Sequence, residues 1–162
     1  MTRYASLAII PLALVAAAPA ATTADRAFVG KVSQGGMFEV AAGRLAATRG
    51  ATQDVRDFGA MEVHDHTLVG DRLKSVSASE GAPIAATLNA DFSARMTRLG
   101  ALSGPAFDRA YMTEMASIHD ADGAAFAAEA TGGGSAGYRG FAGETHRIVQ
   151  RHIGAIRALP PR

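Results

Sequence analysis

The feature that most constrains this chain is a series of long segments with helical apolar spacing, separated by glycine and proline. Within each segment apolar residues recur three and four positions apart, and no stretch alternates apolar and polar residues long enough for a strand. The sequence therefore predicts an all-α fold. The residues that separate the segments are Gly50, Gly81, Pro83, Gly104, Pro105 and Gly132.

Five helices are expected from this pattern. Four long helices with a shorter one between the second and third indicate an up-down four-helix bundle with an additional crossover helix. The expected helices run from about Asp25, as the cap, to Thr48, from Thr52 or Asp54 to Ser79, from Ile84 to Leu102, from Ser103 to Ala130 and from Ala136 to Leu159.

Three glycines fall inside the first expected helix. Each weakens a helix by up to about 1 kcal/mol. We therefore expect these glycines to allow close contact between helices and not to promote helix formation. These glycines are Gly35, Gly36 and Gly43.

The amino terminus carries the pattern of a secretory signal peptide. Arg3 precedes an apolar stretch over residues 5–18 and the small-residue triplet Ala18-Pro19-Ala20. The stretch is shorter than the roughly 20 residues of a membrane-spanning helix, which makes an uncleaved anchor the minority alternative. We therefore expect a signal peptide over residues 1–20 and one mature domain over residues 21–162, periplasmic or secreted.

The composition excludes several kinds of chemistry and partner. The chain has no cysteine, so disulfides, thiol redox chemistry and lipid attachment through cysteine are excluded. Its 16 Lys and Arg nearly balance its 15 Asp and Glu, which indicates neither a nucleic-acid partner nor an anionic membrane surface. No nucleophile elbow or dinucleotide fingerprint appears, so the sequence favours a non-enzymatic protein. The sequence does not indicate which protein partners it has.

Polar residues interrupt the apolar stripe near the middle of each long helix. Burying such groups without partners would cost several kcal/mol in total, so we expect them to bond to one another, to water or to a metal. Imidazole nitrogens and carboxylate oxygens suit a divalent ion, with Glu62 as a fifth donor or an outer base. The candidate metal-binding residues are Glu39, Glu62, His66, His119 and His152.

Short segments spread over nearly all of the mature part carry a family resemblance. They are Phe28-Val29, residues 35–40 (GGMFEV), Gly43-Arg44-Leu45-Ala46, residues 55–59 (VRDFG), Asp65-His66-Thr67, residues 102–111 (LSGPAFDRAY), His119 and His152. In combination they resemble the DUF4142 family of exported bacterial proteins. The resemblance implies a ferritin-like bundle with a long crossover, and it implies that Glu39, His66, His119 and His152 occupy recurrent positions. It implies no established catalytic role.

The three histidines do not reproduce the usual di-iron motif. Ferritin-like di-iron proteins carry Glu-x-x-His on each of two helices. Here Val63, Ala116 and Val149 stand three residues before the histidines. Three histidines with one or two carboxylates therefore fit a single divalent ion, Zn, Cu or Fe, better than a bridged iron pair.

Three functions stay open on the sequence alone. The first is a periplasmic bundle that binds metal or serves under stress, and the second is a structural or interaction module whose buried network only fixes the helix register. The third is a metalloenzyme with an open coordination position. Among weaker candidates, His64 is expected in solvent, His146 at a boundary, and the methionines in the core.

Overall fold

The structure, a computed structural model, describes residues 20–159, and no strand occurs in that range. The all-α prediction is therefore confirmed. The expected signal peptide lies outside the described residues except for Ala20. The helices are α1 (Thr23–Arg49), α2 (Gln53–Glu80), α3 (Ala90–Gly100), α4 (Gly104–Gly132) and α5 (Ala136–Ala158).

Polar side chains mark where most of the helices begin. The Thr22 hydroxyl accepts the N–H of Asp25, and the Asp25 carboxylate accepts the N–H of Thr22 at 2.7 Å. Asp25 is thus the third residue of α1 and forms a capping box with Thr22, so the expectation that Asp25 is the cap itself is wrong. Thr52, Asn89 and Ser135 cap α2, α3 and α5 with their side chains.

The third helix is shorter than the sequence predicts. The predicted helix is wrong over residues 84–89, which stay irregular. Their backbone bonds to α1 instead, because the Ser33 hydroxyl accepts the N–H of Ala85 at 3.2 Å and the Gln34 amide oxygen accepts that of Asn89 at 2.8 Å. These bonds to side chains of α1 replace the backbone bonds of a helical turn.

The four long helices pack in a ring in which α1 contacts α2 and α4, and α5 contacts the same two. Asp108, near the start of α4, accepts the N–H of Ala51 in the α1–α2 turn at 2.8 Å. Gly134, just after α4, donates to Asp25 at the start of α1 at 2.9 Å. Since α4 therefore runs parallel to α2, residues 81–103 span the length of the bundle. One long crossover of this kind is the connection found in ferritin-like folds.

Two apolar clusters fill the bundle on either side of its middle. In one, the Phe28 ring meets those of Phe126 and Phe141 edge-on at centroid distances of 5.4 and 6.3 Å. In the other, Phe38 packs against Phe92, which fastens α3 to α1. Along α2 and α4 the polar residues of the stripes fall between these clusters. No helix in the described part is long and apolar enough to cross a membrane.

Glycines set the closest approaches between helices. A Cβ on Gly43 would lie 2.8 Å from the carbonyl oxygen of Gly59 in α2, and one on Gly35 would lie 2.6 Å from a carboxylate oxygen of Asp122 in α4. The expected role in close contact is therefore confirmed for these two residues of α1. It is wrong for Gly36, where a Cβ would meet nothing within 4 Å.

Candidate metal centre

All five residues that the sequence nominates are buried in the middle of the bundle. None exposes more than 4% of its surface. They come from α1, α2, α4 and α5, so each of the four long helices contributes at least one side chain. The residues are Glu39, Glu62, His66, His119 and His152.

Two of the histidines are held by hydrogen bonds on the side that faces away from the group. His66 directs Nδ1 at an oxygen of Glu39, 3.0 Å away. His119 directs Nδ1 at the backbone carbonyl of Met115, one turn earlier in α4, at 2.9 Å. A carboxylate or carbonyl can only accept, so this geometry assigns the ring proton to Nδ1 in both rings. The lone pair of Nε2 then faces the centre.

His152, the third histidine, is also held by a hydrogen bond on the side that faces away from the group, but through Nε2. His152 directs Nε2 at the carboxylate of Asp65, 2.9 Å away. Asp65 is itself bound by Arg151 at 2.7 Å and by His64 at 2.9 Å. Burial raises the pKa of Asp65, but its bonds to His64, His152 and Arg151 lower it to about 2. The carboxylate is therefore charged, and it leaves the Nδ1 lone pair of His152 facing inward.

The atoms that face inward lie close together. An oxygen of Glu62 is 3.0 Å from Nδ1 of His152 and 3.4 Å from Nε2 of His119, and its other oxygen is 3.2 Å from Nε2 of His66. One donor atom from each of these four residues falls within 4.8 Å of all the others. The group therefore presents three imidazole nitrogens and one carboxylate to a common point.

Several of these inward atoms have no hydrogen bond in the part of the chain that the structure describes. They are both carboxylate oxygens of Glu62 and Nε2 of His66. Nε2 of His119 and Nδ1 of His152 are 3.1 Å apart, although both carry lone pairs in the tautomers set by their outer bonds. Facing lone pairs repel, so this centre requires either added protons or a cation.

The electrostatics of the protein without metal confirm this need for positive charge. Burial opposes charge on Glu62, yet the neighbouring imidazoles of His119, His152 and His66 hold its pKa well below the ordinary value. Burial lowers the pKa of His119, but Glu62 and Glu39 raise it to about 9, and the pKa of His66 is raised by the same two carboxylates. Protons thus balance the two buried carboxylates when no metal is bound.

The structure exchanges the positions that the sequence suggested for the two glutamates. Glu62 lies in the inward group, whereas Glu39 lies outside it, between His66 and His119. The glycine at position 43 helps to bring Glu62 inward, because a Cβ there would lie 3.2 Å from the Cβ of Glu62.

Sequence reasoning missed two further residues of this region. Asp65 follows Glu62 by three positions and so shares its helix face, a spacing that could have revealed it. Tyr111 is fully buried, and its hydroxyl has no hydrogen bond among residues 20–159. Burial together with Glu62 and Glu39 raises the pKa of this phenol well above its ordinary value, so it is neutral.

Among the weaker candidates, the side chain of His64 is 73% exposed and His146 is partly buried, as expected. The expectation of core methionines holds for Met112 and Met115, which are buried in an apolar cluster. Met61 and Met96 are partly buried against that cluster, and Met37 is partly buried outside it.

Comparison with protein-family models matches the chain to the domain of unknown function DUF4142 over residues 11–159. No curated protein and no solved structure matches the chain.

Proposed function

The chain belongs to the DUF4142 family, and we propose that this protein is an exported bundle that binds one divalent metal ion at its centre and serves in metal handling or under stress. One observation carries the proposal. Three imidazole nitrogens and the Glu62 carboxylate face one another without adequate hydrogen bonds, while the outer nitrogen of every ring has a partner. Outer partners of this kind orient histidines as metal ligands.

The spacing of the inward atoms supports a tetrahedral ion. With Zn–N and Zn–O distances of about 2.0–2.1 Å, neighbouring donors of a tetrahedron lie about 3.3 Å apart. Among His119, His152 and one Glu62 oxygen the separations are 3.0, 3.1 and 3.4 Å, and the other Glu62 oxygen lies 3.2 Å from His66. With one atom taken from each residue, all four donors lie within 4.8 Å of one another, so a bound ion would draw His66 slightly closer. Zn²⁺ fits this donor set best, and Cu²⁺ and Fe²⁺ are the alternatives because both accept imidazole and carboxylate.

The charge of the group supports the same proposal. Glu39 and Glu62 bring two negative charges into the core, and the protons that His66 and His119 hold would be released by an entering cation. A divalent ion would thus replace the protons as the counter-charge. Four protein donors in a closed core favour a binding or structural role over catalysis, which needs an open coordination position.

Elemental analysis of protein purified without a histidine tag tests the proposal. We expect about one equivalent of a divalent metal, and a rise in melting temperature when Zn²⁺ is added to protein stripped of metal. His66→Ala and His119→Ala should each abolish most of that rise, while His64→Ala, on another face, should keep it. An equal response in all three variants would indicate surface binding and contradict the proposal.

The competing function is a structural or interaction module whose buried network holds no metal. It predicts no metal in the purified protein and no thermal response to Zn²⁺ in the wild type. The core variants would then only lose stability, by about 1–3 kcal/mol from unpaired partners.

Export belongs to the same proposal and rests on the amino-terminal pattern of Arg3, the apolar stretch and the triplet Ala18-Pro19-Ala20. Mass spectrometry of the protein from its native cell should place the amino terminus near Ala21. A full-length cytoplasmic product would contradict it.

A further inference from the structure

A cavity of about 590 Å³ lies between α1, α2 and the irregular part of the crossover. Its volume falls in the range of sites that bind small organic molecules. The crossover forms one wall through Ile84, Ala85 and Leu88. Its hydrogen bonds to Ser33 and Gln34 hold that wall against α1.

The wall of this cavity is mainly apolar. Apolar side chains from α1, α2, α4 and α5 line it, so the cavity reaches from the surface into the core. They include Val32, Val40, Val69, Leu73, Phe126 and Phe141.

The deep polar groups of the cavity are predominantly acidic. Glu39, His66 and Asp122 line it and are all buried. The cation paired with Asp122 is Lys31, whose nitrogen is 3.7 Å away and whose side chain is half exposed. Burial and the neighbouring Glu39 raise the pKa of Asp122 to about 7, against a smaller opposing effect of Lys31. A buried carboxyl group with so distant a counter-ion favours a ligand that brings a positive charge.

The basic residues that line the cavity lie toward solvent. Arg44 and Lys74 are both exposed, and Lys74 is paired with Asp71 at 2.8 Å. The rim therefore carries two cations and the Asp71 carboxylate, while the carboxyl groups of Glu39 and Asp122 lie at depth. A ligand that matches this arrangement places an apolar body in the cavity and a cationic end toward Asp122.

Two glycines leave space in opposite walls of the cavity. Gly36 of α1 and Gly70 of α2 both line it, and a Cβ on either would meet nothing within 4 Å. A larger side chain at these positions can therefore fill the cavity without displacing existing atoms.

We propose that this cavity binds a small, largely apolar molecule that ends in a protonated amine, with the amine beside Asp122 and the apolar part between α1 and α2. This inference goes beyond the proposed metal centre: of its four donors His66 lines the cavity, whereas Glu62, His119 and His152 do not. Amine binding and metal binding can therefore fail separately.

Titration calorimetry with three probes of the same shape tests the inference: 4-phenylbutylamine, 4-phenylbutanol and 4-phenylbutyrate. At pH 7.5 we expect the amine, which is protonated there, to bind at least about tenfold more tightly than the alcohol and the carboxylate. Asp122→Asn should remove most of this preference and leave the affinity for the alcohol unchanged. Equal affinities for the three probes, or none, would overturn the inference.

Variants that fill the cavity give the spatial test. Gly36→Leu and Gly70→Leu should each weaken amine binding by at least about tenfold. Gly30→Leu is the matched control, because Gly30 also lies in α1 with open space at its Cβ position but outside the cavity. All three replacements raise helix propensity, so the variants should fold. Amine binding that survives both cavity variants would place it elsewhere and contradict the inference, whatever the metal content.

Discussion

The centre of the bundle and its end at the start of α1 each bury a pair of acidic residues. At the centre, Glu39 and Glu62 face imidazole rings. At the end, Asp25 faces Glu129 and accepts backbone N–H groups from Thr22 and Gly134. The first pair meets side chains that can exchange a proton for a metal, and the second meets donors that cannot.

The two pairs also differ in how their acids are protonated. Burial raises the pKa of Asp25, but hydrogen bonds from Thr22, Glu129 and Gly134 lower it to about 2. Burial and the neighbouring Asp25 raise the pKa of Glu129 to about 7, against a smaller opposing effect of Arg139. Asp25 thus stays charged as the acidic partner of Thr22 in the capping box, while Glu129 holds its proton up to a pH of about 7. A buried acid pair therefore indicates a ligand site only where its partners are themselves possible ligands.

The largest effect should come from breaking the central pair. Glu62→Gln removes the charge that faces three imidazoles, so it should lower the free energy of unfolding of the metal-free protein by about 3–5 kcal/mol in urea. Glu144→Ala is the control, since Glu144 is exposed and lies 4.0 Å from Arg72; its loss should cost less than about 1 kcal/mol. Similar losses in both variants would show that the centre has no special electrostatic role.

The end of the bundle should give a smaller loss that leaves metal binding intact. Asp25→Ala removes half of the capping box and leaves the N–H of Gly134 without its partner, which should cost about 2 kcal/mol. Thr22→Ala removes only the hydroxyl and should cost about 1 kcal/mol. If Asp25→Ala abolished the thermal response to Zn²⁺, the two regions would not be independent.

The acid pair at the end should also produce a pH dependence of its own. The folded pKa of Glu129, about 7, is above its ordinary value of 4.5, so the folded state holds this proton more tightly. The resulting stability is complete below pH 4.5 and is lost as the pH rises through 7. In urea unfolding, the stability of Glu129→Gln should therefore lack this decline. Relative to the wild type, the variant should become more stable as the pH rises from 5 to 8. Parallel profiles would contradict the assigned pKa.

The smallest effect should come from His64, which neighbours the centre but faces solvent. His64→Ala should leave the unfolding midpoint in urea unchanged within error, because His64 is largely exposed. It removes one of the partners of Asp65, yet Arg151 and His152 still bind that carboxylate. A large loss of stability would instead make His64 part of the central network.

Much of the fold followed from local sequence signals. The segments between glycines and prolines became the helices within a few residues, because each turn of a helix is stabilised by bonds within its own segment. The error over residues 84–89 arose because Ser33 and Gln34, distant in sequence, capture backbone groups of that segment. The sequence also indicated that Glu39, Glu62 and the three histidines are buried, since they fall on apolar stripes.

The sequence by itself determined which polar residues enter the core and at what height, because helical periodicity fixes the face of each residue. Only the tertiary structure decided what these residues do there. It placed Glu62 in the inward group and Glu39 outside it, supplied Asp65 and the Met115 carbonyl as outer partners, and opened the cavity beside Asp122. Those outcomes depend on how the four helices rotate and approach one another. Close contacts between helices, such as Gly43 against Gly59, set this arrangement, and the sequence of one helix alone does not determine them.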